Sequence, residues 1–112
     1  MTRGDYLSEF ELYVLLAIVR RGSDAPGADV RQEIEESSGR SPSIGAVHTT
    51  LGRLEDKGLV KYRILDPEPV RGGRARKAYA LTAEGRRALE RSAAAMTRML
   101  QGIQGPGPER AR

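Results

Sequence analysis

The chain has no cysteine among its 112 residues. Disulfides and thiolate metal sites are therefore excluded, and the composition suits a reducing compartment. Tryptophan is also missing, and there is one histidine, His48. With no second histidine and no His-Glu-x-x-His spacing, His48 lacks the companions that metal ligation or base catalysis needs. No P-loop, dinucleotide fingerprint or serine-nucleophile elbow occurs either. The expectation is a non-enzyme with no catalytic residues, no metal and no cofactor. Long hydrophobic runs are absent too. The longest, Leu12 to Val19, is too short to cross a bilayer, and Asp5, Glu9 and Glu11 break up the region where a signal peptide would need an apolar core. A cytoplasmic protein with no membrane partner is expected.

What the chain does have is asymmetric charge. Its formal net charge is +4, with a pI near 9.8. Residues 1–36 hold four basic and eight acidic side chains, which leaves 15 basic and 7 acidic for residues 37–112. A basic portion joined to an acidic one fits a surface that faces phosphate on one side only.

Periodicity divides the chain into elements. Leu7 to Arg21 reads as a helix that is apolar on nearly all sides, as expected of a central, buried element, with Ser8 or Asp5 as cap and Gly22 as stop. The next segment places Pro26 in a first turn, Val30 and Ile34 on a narrow inner face, and Gly39 at the end. A third helix, SIGAVHTTLGRLEDKG, begins at Ser41 or Ser43 and stops at Gly58. Its apolar stripe is Ile44, Val47, Leu51 and Leu54. After Gly58 the period changes to two: Val60, Tyr62 and Ile64 alternate with Lys61 and Arg63, and a second strand carries Tyr79 and Leu81. Between the strands lies a long basic tip, with Pro67 and Pro69 stiffening one leg and Gly72–Gly73 allowing a turn. Thr82 caps a last helix predicted to reach about Gln104.

The predicted fold class is mainly α with a small two-stranded β-hairpin (α+β). Three compact helices followed by a two-stranded wing is the winged helix-turn-helix arrangement. The predicted division is a DNA-binding domain over 5–82, a dimerisation helix over 83–104 and a disordered tail over 105–112.

Three constellations carry the functional expectation. In a helix-turn-helix protein the second helix of the motif lies in the major groove, with its N-terminal residues nearest the bases. The outer face of the third helix suits that placement. Gly45 and Ala46 permit close approach, Ser43, Thr49 and Thr50 offer hydroxyls, His48 a ring nitrogen and Arg53 a charge. Acids enter only at Glu55 and Asp56. The hairpin tip, Arg71, Gly72, Gly73, Arg74, Arg76 and Lys77, could follow a phosphate backbone or enter a minor groove. On the last helix, Leu89, Ala93, Met96, Leu100 and Ile103 are spaced four, three, four, three, a short heptad seam for a homodimer. Two-fold symmetry would match a roughly palindromic operator.

The segments FELYVLLAIVRRG, DVRQEIEESSGRSPSIGAVHTTLGRLEDKGLVKYR and RGGRARKAYALTAEGRRAL resemble the PadR family of bacterial transcriptional regulators over roughly residues 5–104. The resemblance implies a winged-helix domain that binds double-stranded DNA, a C-terminal helical dimerisation element, repression of promoters, and in many members release from DNA by a small-molecule effector. The single short last helix is similar to the compact subclass. Two positions depart from the family pattern. His48 stands where a tyrosine usually contacts DNA backbone, and Pro26 where a Tyr-Gly pair opens the second helix, with Gly27 retained. The lack of tryptophan means that the tryptophan-lined pocket of some relatives does not carry over. The rival reading is a winged-helix interaction module whose basic face serves an acidic protein partner. A further one is an RNA or membrane-surface binder led by the RGGRAR tip.

Overall fold

The computed structural model describes residues 7–65 and 76–103. Its elements run α1 (Glu9–Arg20), β1 (Ala25–Pro26), α2 (Gly27–Ser38), α3 (Ile44–Asp56), β2 (Val60–Leu65), β3 (Arg76–Leu81) and α4 (Ala83–Leu100). Local chemistry sets most boundaries. Ser8 caps α1 in a reciprocal box: its hydroxyl accepts from the Glu11 N–H at 3.1 Å, and its own N–H donates to the Glu11 carboxylate at 2.8 Å. Ser43 and Thr82 cap α3 and α4 through their hydroxyls, accepting from Ala46 N–H and Gly85 N–H. Gly39 and Gly58 take the left-handed conformation that ends α2 and α3.

The core is built around α1. Val14, Leu15 and Ile18 are fully enclosed by Val30 and Ile34 of α2, Val47, Leu51 and Leu54 of α3, Ala88 and Leu89 of α4, and Leu59, Val60 and Tyr79. Burial of this kind contributes about 2 kcal/mol per large aliphatic side chain. The first turns of α4 are part of this core. At Gly85 the helix lies against the Leu59 backbone so closely that a Cβ would collide with the Leu59 carbonyl. Thr82 completes the junction, its N–H donating to Leu59 O at 3.0 Å and its hydroxyl to Gly58 O at 2.7 Å.

Four sequence expectations are corrected. The sheet has three antiparallel strands in the order β1-β3-β2, since Ala25 and Pro26 pair with Tyr79 and Ala78. Tyr62 and Ile64 are exposed although Val60 is buried, because the core ends at the base of the hairpin. Pro26 is the cap residue of α2, one position before its first turn. The last helix ends at Leu100, not near Gln104. Asp5, Pro67, Pro69 and the tail lie outside the described residues.

Candidate nucleic-acid interface

The turn between α2 and α3 fixes how α3 is presented. Arg31 of α2 donates to Pro42 O at 3.3 Å and to Glu35 at 3.0 Å, and Glu35 also accepts from the Ser41 hydroxyl. Arg40 reaches back to Glu9 at 3.0 Å and lies over the Tyr13 ring. At the other end, Lys57 donates to Glu11 at 2.8 Å. Burial opposes charge on Glu11, but the bonds from Lys57 and the Ser8 N–H, with the nearby charges of Lys57 and Arg53, hold its pKa below the usual carboxylate value. The segments at both ends of α3 are thus tied to α1.

Held in this way, α3 turns Ser43, Gly45, Ala46, His48, Thr49 and Arg53 to solvent. The Ser43 hydroxyl already accepts the Ala46 N–H, so what it has left for a ligand is its proton and one lone pair. Thr50 does not belong to this face. It is 4 % exposed, because it lies three residues after Val47 and four before Leu54, on the core side of the helix. Ile44 makes the opposite exchange. Read as part of the apolar stripe, it is 43 % exposed, since the core does not extend to the first turn of α3.

Beside that face is an open groove of about 650 Å³, bounded by the start of α2 (Pro26, Gly27, Ala28), one ridge of α3 (Ile44, His48, Gly52, Glu55) and β3 (Arg76, Lys77, Tyr79). Arg76 and Lys77 are exposed at the end of β3 away from the core, where they pair with Leu65 and Ile64. The Lys77 ammonium sits 4.3 Å from the centre of the Tyr62 ring, and Tyr62 in turn faces Tyr79 at 5.8 Å. This stack gives a flexible lysine a fixed seat without cancelling its charge. Burial raises the Tyr79 pKa, against the opposing influence of Lys77. Glu55 closes the far end of the groove, where it would repel phosphate. Arg71, Gly72, Gly73 and Arg74 lie outside the described residues.

The wing is braced against the helices on its other side. Arg63 of β2 donates twice to the Asp24 carboxylate, at 3.0 and 3.2 Å. Asp24 and Ser23 both hold positive φ (52° and 75°), a conformation that costs a non-glycine residue energy and persists only where surrounding contacts impose it. The turn feeds directly into β1, and β1 pairs with β3. The start of α2 is therefore pinned to the central strand of the wing.

On the last helix and beyond it, the seam residues divide. Leu89 is buried in the domain's own core. Met96, Leu100, Ile103 and Ala93 are exposed. Sequence reasoning missed Gly27, Ile44, Gly52 and Tyr79 as groove-lining residues. For Thr50 a signal existed in its helical spacing from Val47 and Leu54, whereas the same spacing pointed Ile44 inward and only the extent of the core leaves it exposed. For Gly27 there was none, because its neighbour in space lies on another helix. Among the described residues no group of acids and histidine is placed to hold a metal ion, and no helix is long and apolar enough to cross a membrane.

Residues 15–91 match the transcriptional regulator PadR-like family. Solved structures with the same fold include a PadR-like transcription factor from Bacteroides fragilis, with a TM-score of 0.70 and 22% identity over 85% of this chain and 86% of that one. A PadR family transcription regulator from Clostridium difficile aligns with a TM-score of 0.64 and 26% identity, over 84% of this chain and 98% of that one. Bacillus subtilis PadR, solved in complex with operator DNA, aligns with a TM-score of 0.63 and 23% identity. That alignment covers 76% of this chain but 47% of the Bacillus protein, so the chain spans about half of that relative. No curated protein matches the chain. The family match takes in well over half of the residues, and the chain belongs to the PadR-like family of transcriptional regulators.

Proposed function

We propose that this PadR-like family member is a sequence-specific DNA-binding repressor that acts as a homodimer. The observation that carries the reading is the outer face of α3: Gly45, Ala46, His48, Thr49 and Arg53 stand exposed without an acid among them, next to a groove whose wing side bears Arg76 and Lys77. α3 enters the major groove by its N-terminal turns, with Ser43 at the entry. Ser43, His48, Thr49 and Arg53 supply contacts, while Gly45 and Ala46 let the helix backbone approach. The wing, from Arg71, Gly72, Gly73 and Arg74 down to Arg76 and Lys77, follows the flanking phosphates. The relative from Bacillus subtilis, solved with operator DNA, lends support by analogy of fold.

The second copy docks on α4. Met96, Leu100 and Ile103 are exposed apolar side chains on and just after an 18-residue helix, and a groove of about 600 Å³ between α4 and the start of α1 is lined by Leu7, Leu12, Met96 and Met99. A partner α4 laid along Ala93, Met96, Leu100 and Ile103 covers these exposed apolar side chains, meets the groove through Met96, and sets two recognition helices about one DNA turn apart. Residues 83–104 then serve as the dimerisation element. Release from DNA by a small molecule is the regulation that fits this class.

Selection from a randomised duplex pool tests the reading. A motif with approximate two-fold symmetry is expected to be enriched. If no sequence is enriched and an acidic protein binds the same basic face, the chain is an interaction module and the DNA assignment fails.

A further inference from the structure

We infer that Gly27 is a positioning residue for DNA reading that acts through His48; this rests on the DNA-binding role proposed above. The imidazole of His48 lies against the first residue of α2. A Cβ built on Gly27 would stand 2.7 Å from His48 Cε1 and 3.3 Å from both ring nitrogens. No side chain other than hydrogen fits there while the ring keeps its place.

Backbone conformation does not explain the glycine. Gly27 is absent from the positive-φ residues of the described chain. It opens a regular helix whose cap, Pro26, makes no side-chain capping bond. In that setting alanine would favour the helix, because glycine carries the larger entropic cost. The steric reason is what remains: the glycine leaves room for the ring.

The contact also couples two parts of the interface. Pro26 pairs with Ala78 in the central strand of the wing, so the position of Gly27 is fixed relative to Arg76 and Lys77 on that strand. His48 projects from α3 into the groove that these elements line. It stands one turn along from Ile44 on the same ridge. With the ring seated on Gly27, His48 presents its nitrogens from one direction. A Cβ at residue 27 displaces the ring, which can swing on its own χ angles without disturbing the core, because His48 is exposed.

A double-mutant cycle on the full-length protein tests this, using a duplex enriched by the wild type from a randomised pool. Gly27→Ala is expected to weaken binding about tenfold, the size typical of contacting pairs, while the melting temperature stays at or above that of the wild type. His48→Ala should weaken binding to a similar degree. In the His48→Ala background, Gly27→Ala should cost nothing further.

His48 is the only histidine, so its ring resonances give a second reading without DNA. They should move in Gly27→Ala. Unmoved resonances would overturn the contact in solution. Moved resonances with wild-type affinity, or losses that simply add in the double variant, would overturn its role in DNA reading. If the wild type enriches no duplex, the underlying assignment has failed, and that outcome is distinct from both.

Discussion

Lys57, the C-cap residue of α3, donates to the Glu11 carboxylate in the first turn of α1 at 2.8 Å, with the Glu11 side chain 4 % exposed. The same carboxylate closes the capping box with Ser8. One buried acid therefore serves two ends: it starts the central helix and holds the exit of the helix that carries the candidate DNA-reading face. Replacing Lys57 with Met leaves Glu11 buried without its cation. Thermal unfolding should show a loss of about 2 kcal/mol, typical of a hydrogen bond to a buried charge. An unchanged melting curve would mean that α1 and α3 are held by apolar contacts alone.

Acid should unfold this protein through particular carboxylates. Glu33 accepts from Arg20, Ser37 and Arg21, which lower its pKa from 4.5 to about 2, and Glu11 is shifted in the same direction. A carboxyl with a depressed folded-state pKa stabilises the fold above its unfolded value, and that contribution disappears as pH falls through the folded value. Stability is thus expected to decline from about pH 4.5 downward, most of the Glu33 part being gone near pH 2. In Glu33→Gln the melting temperature should start lower at neutral pH and fall less steeply across that window. A variant whose profile parallels the wild type would assign the acid sensitivity elsewhere.

The junction of wing and last helix leaves no room at Gly85. Alanine there drives a Cβ into the Leu59 carbonyl, which is backbone already engaged by Thr82 N–H. Denaturant titration should report about 2 kcal/mol of destabilisation, in the range of overpacked sites. By contrast, Gly52→Ala meets open space and should be neutral or slightly stabilising.

Arg76 stands exposed at the outer end of β3, paired with Leu65. If it meets a phosphate, Arg76→Ala should weaken binding to all duplexes alike and reduce the slope of log K against log salt by about one. A slope that does not change would remove Arg76 from the interface and leave the wing contact to residues nearer its tip.

Leu100 tests the proposed seam. Leu100→Asp puts a charge among exposed apolar side chains on α4, and sedimentation should then find monomers with weak DNA binding. The domain core should be unaffected, since Leu100 is outside it. A stable, active dimer would rule out α4 as the contact surface.

Local chemistry was readable in the sequence, and contacts between distant segments were not. Ser8, Ser43 and Thr82 cap the helices as expected because a hydroxyl ahead of an amphipathic run acts within three residues. Thr50 was misplaced because its hydroxyl suggested a polar face, although its spacing from Val47 and Leu54 puts it inside. Ile44 erred in the other direction, since periodicity continues to the end of a helix whether or not a core is there to meet it. The strand β1 escaped notice because two residues show no alternation, and only the register of β3 makes Ala25–Pro26 a strand. The approach of His48 to Gly27 crosses two helices, and no spacing rule connects them. Leu89 shows that a heptad can serve two purposes, with its first member spent on the domain's own core and the rest left exposed.

The central claim, that the exposed face of α3 reads DNA, is tested most directly by titrating the purified protein against the DNA upstream of its own gene at two salt concentrations with random duplex as competitor. Tight binding that resists the competitor, weakens with salt and is lost in Thr49→Glu without loss of fold is the expected result. Binding that random DNA abolishes, or that survives an acid placed in the middle of that face, would contradict it.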